Sequence, residues 1–289
     1  MSYKNRLVHI NKCMLKDLLS TRIYGEIIYK VKEDSIEEIR LTINSPIVVY
    51  ANGKRNLFRS TTKDDINYTL SQLTRDSLYA VNDTLKHGYV TYLGGIRVGI
   101  GGEIVYANDK LQTMKNVNTL VLRIPHNQYG IADEIKDKLM RKDGTIKNVL
   151  ISAPPYTGKT TLLRELSRIF SLDGYRVVVL DEKNEISGNY KGETYLDVGY
   201  SSVLVGVNRK DGIEMAIRNL SPDIIVTDEI FGESDVSSIE RCVKSGVSVF
   251  TSMHSGVLQL DGFMKLFDFN VVLSKNPVGK ILLAKDVSA

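Results

Sequence analysis

The run Ala153-Pro154-Pro155-Tyr156-Thr157-Gly158-Lys159-Thr160-Thr161 has the residue types and spacing of a phosphate cradle. Gly158 lets the backbone come close to an anion. Lys159 follows with an ammonium for β- and γ-phosphate oxygens, and Thr160 with a hydroxyl that can ligate Mg²⁺. The stretch meets the pattern G-x-x-x-x-G-K-[ST] at every fixed position except the first, where Ala153 replaces glycine. Alanine fits there if that position avoids positive φ, where a Cβ is penalised. A buried strand precedes the loop and a helix follows it, so backbone N–H groups and the helix start converge on one anion site. ATP and Mg²⁺ are therefore the expected ligands, with residues 153–161 as the binding stretch.

Two further apolar runs end in carboxylates. Ser221-Pro222-Asp223-Ile224-Ile225-Val226-Thr227 leads into Asp228-Glu229. Val177-Val178-Val179-Leu180 leads into Asp181-Glu182, with Glu185 three residues beyond Glu182. Beside a phosphate cradle, Asp228 is expected to hold Mg²⁺ through water, together with Thr160. Glu229 is expected to orient or deprotonate the attacking water. Glu182 or Glu185 is an alternative source of that base, and a solvated strand end accounts for either pair without chemistry. Val247-Ser248-Val249-Phe250-Thr251-Ser252-Met253 ends likewise in His254, a candidate γ-phosphate sensor unless it is a surface residue.

These residues need a scaffold that gathers strand ends. Apolar runs at 149–152, 176–180, 224–227, 247–251 and 271–273 alternate with helical stretches at 160–170, 211–220 and 234–244. Continuous apolar strands separated by helices predict a mainly parallel α/β sheet covered on both faces, with ligands beyond the strands' carboxyl ends. The earlier part of the chain reads as α+β. Glu38-Ile39-Arg40-Leu41-Thr42-Ile43 alternates, 47–50 follows, and Asn52-Gly53 marks a tight turn. Ile66, Leu70, Leu73, Tyr79 and Leu85 keep a helical period over 64–86, with His87-Gly88 as the stop. Residues 89–106 alternate again through Gly94-Gly95, Gly99 and Gly101-Gly102, glycines that predict bulges or close approach. Asn108-Asp109 reads as a turn, and 119–124 as a strand stopped by Pro125. The expected division is 1–130 for a smaller α+β domain and 131–289 for the nucleotide domain.

Composition narrows the class. Hydrophobic residues make up 43% and charged residues 25% of 289, the balance of a globular protein with packed cores. The net charge of +4 is small and fits solubility as well as an anionic partner. Cys13 and Cys242 lie far apart, and with four histidines no Cys/His metal cluster is spelled out. The first residues carry no signal-peptide pattern, and no stretch approaches the roughly 20 apolar residues of a membrane span. A cytoplasmic protein, held at a membrane only through partners, is expected.

With these residues placed, the chain resembles the stage III sporulation protein AA family, ATPases of endospore-forming bacteria. The resemblance rests on Ile39-Arg40-Leu41-Thr42-Ile43-Asn44-Ser45-Pro46, Gly88-Tyr89-Val90-Thr91, Gly94-Gly95-Ile96-Arg97-Val98-Gly99, Pro154 through Arg164, Asp181-Glu182-Lys183-Asn184-Glu185-Ile186 and 221–229. That family is similar to the traffic ATPases of type II secretion, type IV pili and type IV secretion. Those carry Walker A, an acidic box, Walker B and a histidine box. Lys159, Asp181-Glu182-Glu185, Asp228-Glu229 and His254 match the four in order. The resemblance implies a RecA-like P-loop NTPase domain, a homo-hexamer, and membrane-embedded sporulation channel proteins between mother cell and forespore as partners. It also implies arginines ahead of the nucleotide domain that reach the phosphates, with Arg97 and Arg123 as candidates and a solvated surface role as the alternative. The stretch 197–211 diverges, so no residue there is carried over. A nucleic-acid-dependent P-loop ATPase would want a clustered basic face with stacking aromatics, whereas lysines and tyrosines are scattered here. Nucleic acid is not an expected partner. A nucleotide-switched scaffold with little turnover also stays open.

Overall fold

Strand alternation in the first part of the chain produces an antiparallel sheet buried on one face. The computed structural model describes residues 14–74, 88–107, 110–230, 232–254 and 263–287. Strands β1 (Ile36–Thr42), β2 (Pro46–Ala51), β3 (Lys54–Ser60), β4 (Tyr89–Tyr92), β5 (Ile96–Ala107) and β6 (Lys110–Arg123) form a six-stranded sheet in the order β3-β2-β1-β6-β5-β4. Every pairing in it is antiparallel. Asn52 and Gly53 both take positive φ and make the β2–β3 turn. Ile39, Leu41, Val98, Leu120 and Leu122 share a core with Leu18 of α1 (Met14–Leu18), Ile23 and Ile27 of α2 (Thr21–Lys30) and Ile66 of α3 (Lys63–Thr74). Because side chains alternate along a strand, Arg40, Arg97 and Arg123 fall on the opposite face.

The strand glycines behave as expected at one place in particular. The β5–β6 register shifts between Gly101 and Glu103, and a Cβ on Gly102 would lie 2.8 Å from the Lys115 carbonyl oxygen. Only glycine fits that bulge. The helix expected over 75–86, with Tyr79, Leu85 and the stop at His87, lies outside the described residues, as does the turn expected at Asn108-Asp109.

The second sheet is seven-stranded. It comprises β7 (Val149–Ala153), β8 (Val177–Asp181), β9 (Ser202–Val205), β10 (Ile224–Thr227), β11 (Ser248–His254), β12 (Phe269–Lys275) and β13 (Val278–Asp286), in the order β13-β12-β7-β11-β10-β8-β9. Its pairings are parallel apart from β12–β13. The helices are α4 (Asp133–Lys136), α5 (Lys159–Leu172), α6 (Arg209–Asn219) and α7 (Glu233–Lys244). Val149, Ile151, Val179 and Val226 pack with Leu162, Leu166 and Phe170 of α5 on one face. Leu150, Val178 and Ile225 pack with Ile213 and Ala216 of α6 and Ile239 and Cys242 of α7 on the other. Burial on both faces is why these strands read as unbroken apolar runs.

Two strands of this sheet had no expectation from sequence, and both are edges. β9 is two half-exposed residues between two exposed ones, and β13 is exposed or half-exposed throughout. Neither needs an apolar run. The chain separates into one unit of Met1–His126 with Gly188–Tyr195, and another of Asn127–Ser187 with Leu196–Ala289. The segment Gly188–Tyr195 therefore departs from a simple division near residue 130, because Tyr195 is buried in the first core. Among the described residues no helix is long and apolar enough to cross a membrane.

Candidate functional site

The sheet order brings four segments side by side. Strands β7, β11, β10 and β8 are consecutive parallel neighbours, with Ala153 opposite His254 and Leu180 opposite Thr227. Each carries its motif at or just beyond its carboxyl end, where ligands sit in open α/β sheets.

The loop after β7 closes on itself. Gly158 has φ 89°, the left-handed conformation that opens α5. Ala153 is fully buried and still belongs to β7, so the missing first glycine costs no strained backbone here. The strained position is Tyr156, at φ 61° and 78% exposed. Thr157 Oγ1 donates to the Pro154 carbonyl at 2.6 Å and pins the loop's middle. Gly279, the second residue of β13, packs against it: a Cβ on Gly158 would stand 3.6 Å from Gly279 Cα.

Lys159 is 5% exposed and faces inward. Its Nζ donates to the carbonyl oxygens of Ala153 at 3.3 Å and Pro154 at 3.1 Å, and lies 3.3 Å from His254 Nδ1. It stands 3.4 Å from Glu229 Oε1, which is 3.0 Å from His254 Nε2. Lys159, Glu229 and His254 thus form a closed triangle, in which a neutral imidazole would accept at Nδ1 and donate from Nε2. Lys183 Nζ approaches the other Glu229 oxygen at 3.6 Å.

Asp228 is nearly buried. Thr160 Oγ1 donates to its Oδ2 at 3.3 Å and Ser252 Oγ to its Oδ1 at 3.2 Å. Burial, then the nearby charges of Glu185 and Glu229, push its pKa up to about 6. Such a carboxylate is short of positive charge, which suits it to a cation. Among the described residues no group of three or more His, Cys, Asp or Glu side chains gathers in metal-binding geometry. Mg²⁺ does not require one, since it keeps waters and takes one or two protein oxygens plus phosphates. Thr160 and Asp228 supply that kind of donor set, so the residues present fit Mg-ATP.

The acidic segment after β8 divides its labour. Asp181, 1% exposed, accepts from the backbone N–H groups of Glu185, Ile186 and Ser187 and from the Ser187 hydroxyl. It caps the loop. Glu182 pairs with Arg209 at 3.1 Å. Glu185 sits near enough to Asp228 to raise its pKa. In the first unit, Arg97 pairs in register with Arg123, the Arg97 guanidinium lies 3.7 Å above the Tyr89 ring, and Arg123 is 3.4 Å from Glu38. With Arg40 they line a trough of about 390 Å³ floored by Gly99 and Gly101.

Sequence reasoning missed two buried arginines. Arg164, on α5, donates to the carbonyls of Ile186 at 2.6 Å and Glu185 at 2.7 Å, and burial lowers its pKa to about 10. Arg209, 6% exposed, contacts the end of β10. A signal existed for the second. Arg209, Gly212, Ile213 and Ala216 form one buried helical stripe, so the arginine stands where an apolar residue is usual.

Residues 9–265 match the model of the family described as "Sporulation stage III, protein AA". Stage III sporulation protein AA of Bacillus subtilis (strain 168) is 34% identical over 226 residues, 76% of this chain and 73% of that protein. The Legionella pneumophila ATPase DotB superposes with a TM-score of 0.51 at 16% identity, over 85% of this chain and 74% of DotB. The pilus retraction motor PilT, solved with bound ADP, superposes with a TM-score of 0.54 at 16% identity, over 85% of this chain and 76% of PilT. At that identity the likeness is one of fold: an N-terminal domain followed by a RecA-like P-loop domain. The match across 9–265 and the identity to the Bacillus protein, on a chain that also carries the four motifs on adjacent strands, mean that it belongs to the stage III sporulation protein AA family.

Proposed function

We propose that this chain binds ATP with Mg²⁺ and hydrolyses it. The observation that carries the reading is the triangle of Lys159, Glu229 and His254 beside the Thr160–Asp228 pair, on neighbouring parallel strands. The 153–161 loop binds phosphate through its N–H groups, and Lys159 exchanges its loop carbonyls for phosphate oxygens. When bound, Mg²⁺ would be held by Thr160 and by Asp228 and would supply positive charge that neutralises the phosphates. Glu229 orients and deprotonates the attacking water. It is favoured over Glu182, which is engaged by Arg209, and over Glu185, which lies towards Asp228. His254 senses the γ-phosphate through the hydrogen bond it now shares with Glu229. Arg97 and Arg123 are the arginines proposed to meet the phosphates.

The work we assign to this turnover is that of a homo-hexameric motor. It would act at the cytoplasmic side of membrane-embedded sporulation channel proteins between mother cell and forespore, and nucleic acid would be no partner. Family membership supports the sporulation setting, and the fold shared with DotB and PilT supports the motor. The test is phosphate release by the purified protein. Lys159→Ala should lose ATP binding. Glu229→Gln should bind ATP within about threefold of the unchanged chain and lose at least about 10²-fold in turnover. Turnover untouched by Glu229→Gln would remove it as the base.

A further inference from the structure

Of the two buried arginines in the second unit, one sits beside the end of β10. Arg209 is the first residue of α6, just after the Asn208 cap, and only 6% exposed. Its Nε donates to Thr227 Oγ1 at 3.0 Å, and its Nη2 to the carbonyl oxygens of Asp228 at 3.3 Å and Glu229 at 2.7 Å. The same guanidinium pairs with Glu182 at 3.1 Å and with Asp235, in the first turn of α7, at 2.5 Å.

The pairing ladder explains why those carbonyls need a donor. Strand β10 pairs with β8 as far as Thr227 and with β11 as far as Val226. Asp228 and Glu229 lie just past the ladder, where β11 touches the main chain only through the Thr251 hydroxyl on the Asp228 carbonyl and the Ser252 carbonyl on the Ile230 N–H. A buried carbonyl there must find a donor, and Arg209 is that donor for Glu229, sharing Asp228 with the Thr251 hydroxyl. Only a planar fork with several N–H groups reaches one hydroxyl, two carbonyls and two carboxylates at once; a lysine has three donors at a single point.

We propose that Arg209 is the positioning residue for the Asp228–Glu229 pair. It fixes the main chain from which the magnesium-side and water-side carboxylates project, and ties that chain to the first turn of α7 through Asp235. The role rests on the ATPase reading above. Arg209 touches no reacting atom in it and acts through the residues whose carbonyls it holds. Glu182 then serves as its counter-charge.

The test uses the full chain carrying Arg209→Gln, Arg209→Lys or Asp235→Asn. Three quantities are measured: affinity for a non-hydrolysable ATP analogue with Mg²⁺, steady-state phosphate release, and amide hydrogen exchange by segment. Arg209→Gln is expected to keep affinity within about threefold while kcat falls at least about tenfold, as misplaced catalytic groups do. Exchange should quicken at 224–230 and the first turn of α7, and stay unchanged at 149–161. Arg209→Lys should not restore kcat, because charge alone does not replace the fork. Unchanged kcat in Arg209→Gln, full rescue by lysine, or affinity and kcat falling together with faster exchange throughout the unit would each overturn the proposal. If Arg209→Gln does not fold, Asp235→Asn decides. It should lower kcat while sparing affinity and loosen the start of α7, and no change in either would overturn the link. If the unchanged chain releases no phosphate, the ATPase reading falls, while the exchange contrast still judges whether Arg209 holds the end of β10.

Discussion

Asp228 carries a charge where the surroundings disfavour one. Burial is the main cause of its raised pKa, the carboxylates of Glu185 and Glu229 add to it, and Lys183 opposes them. The folded chain therefore holds this proton up to a pH of about 6, against an ordinary value of 3.8. A carboxyl shifted upward stabilises the fold most below its unfolded pKa, and that contribution is lost as pH rises through the folded value. At pH 8 the ionised Asp228 costs the nucleotide-free protein about 3 kcal/mol, taking ~1.4 kcal/mol per pH unit. Asp228→Asn should accordingly raise Tm at pH 8 without nucleotide, with an advantage shrinking to roughly half by pH 5. The same variant should lose the Mg²⁺ dependence of ATP binding. Calorimetric scans at the two pH values, and titrations with and without Mg²⁺, check both arms. An equal or lower Tm at pH 8 would contradict the account.

At the scale of the element, the loop between β7 and α5 holds its strain in an unusual place. Ala153 continues β7 opposite His254, so Ala153→Gly should bring no gain and cost roughly 0.5–1 kcal/mol through backbone entropy. Tyr156 takes the left-handed conformation with its ring exposed. That conformation costs an L-residue about 1–2 kcal/mol, which glycine avoids at a smaller entropic cost. Tyr156→Gly is therefore expected to stabilise the chain by up to about 1 kcal/mol in urea unfolding. Gly158→Ala should go the other way by about 1–2 kcal/mol and weaken nucleotide binding, because the N–H groups that open α5 would shift. Titration calorimetry beside the urea curves separates the two effects.

At the scale of the molecule, each unit has its own core, and the proposed cradle belongs to the second. A ligand that binds the folded second unit stabilises it by about 2.7 kcal/mol at a hundredfold excess over Kd. Hydrogen exchange with a non-hydrolysable ATP analogue and Mg²⁺ should slow in the cores of the seven-stranded sheet. In the six-stranded sheet of the monomer it should change only where Arg97 and Arg123 meet the phosphates. Protection appearing in the six-stranded sheet only at high protein concentration would mark assembly. Sizing with and without the analogue then reads the oligomer directly, and a particle that stays monomeric in both would sink the ring.

Local pattern alone determined a good deal. The loop between β7 and α5 was legible because 153–161 is one contiguous stretch bounded by a buried strand and a helix start. The strands at 149–152, 176–180, 224–227 and 247–251 were legible because burial on both faces demands unbroken apolar runs. The order of the four motifs along the chain was legible for the same reason. Edge strands β9 and β13 were not, since an edge has little burial to write into its sequence. Nor was the placement of Tyr195 in the first core, or the donors that Arg164 and Arg209 lend to distant loops. Tertiary structure alone decided that β11 inserts between β7 and β10, which sets His254 and Glu229 against Lys159 and leaves Glu182 to Arg209. The reason is physical: periodicity records which face of an element is buried, whereas strand order depends on contacts between segments far apart in the chain.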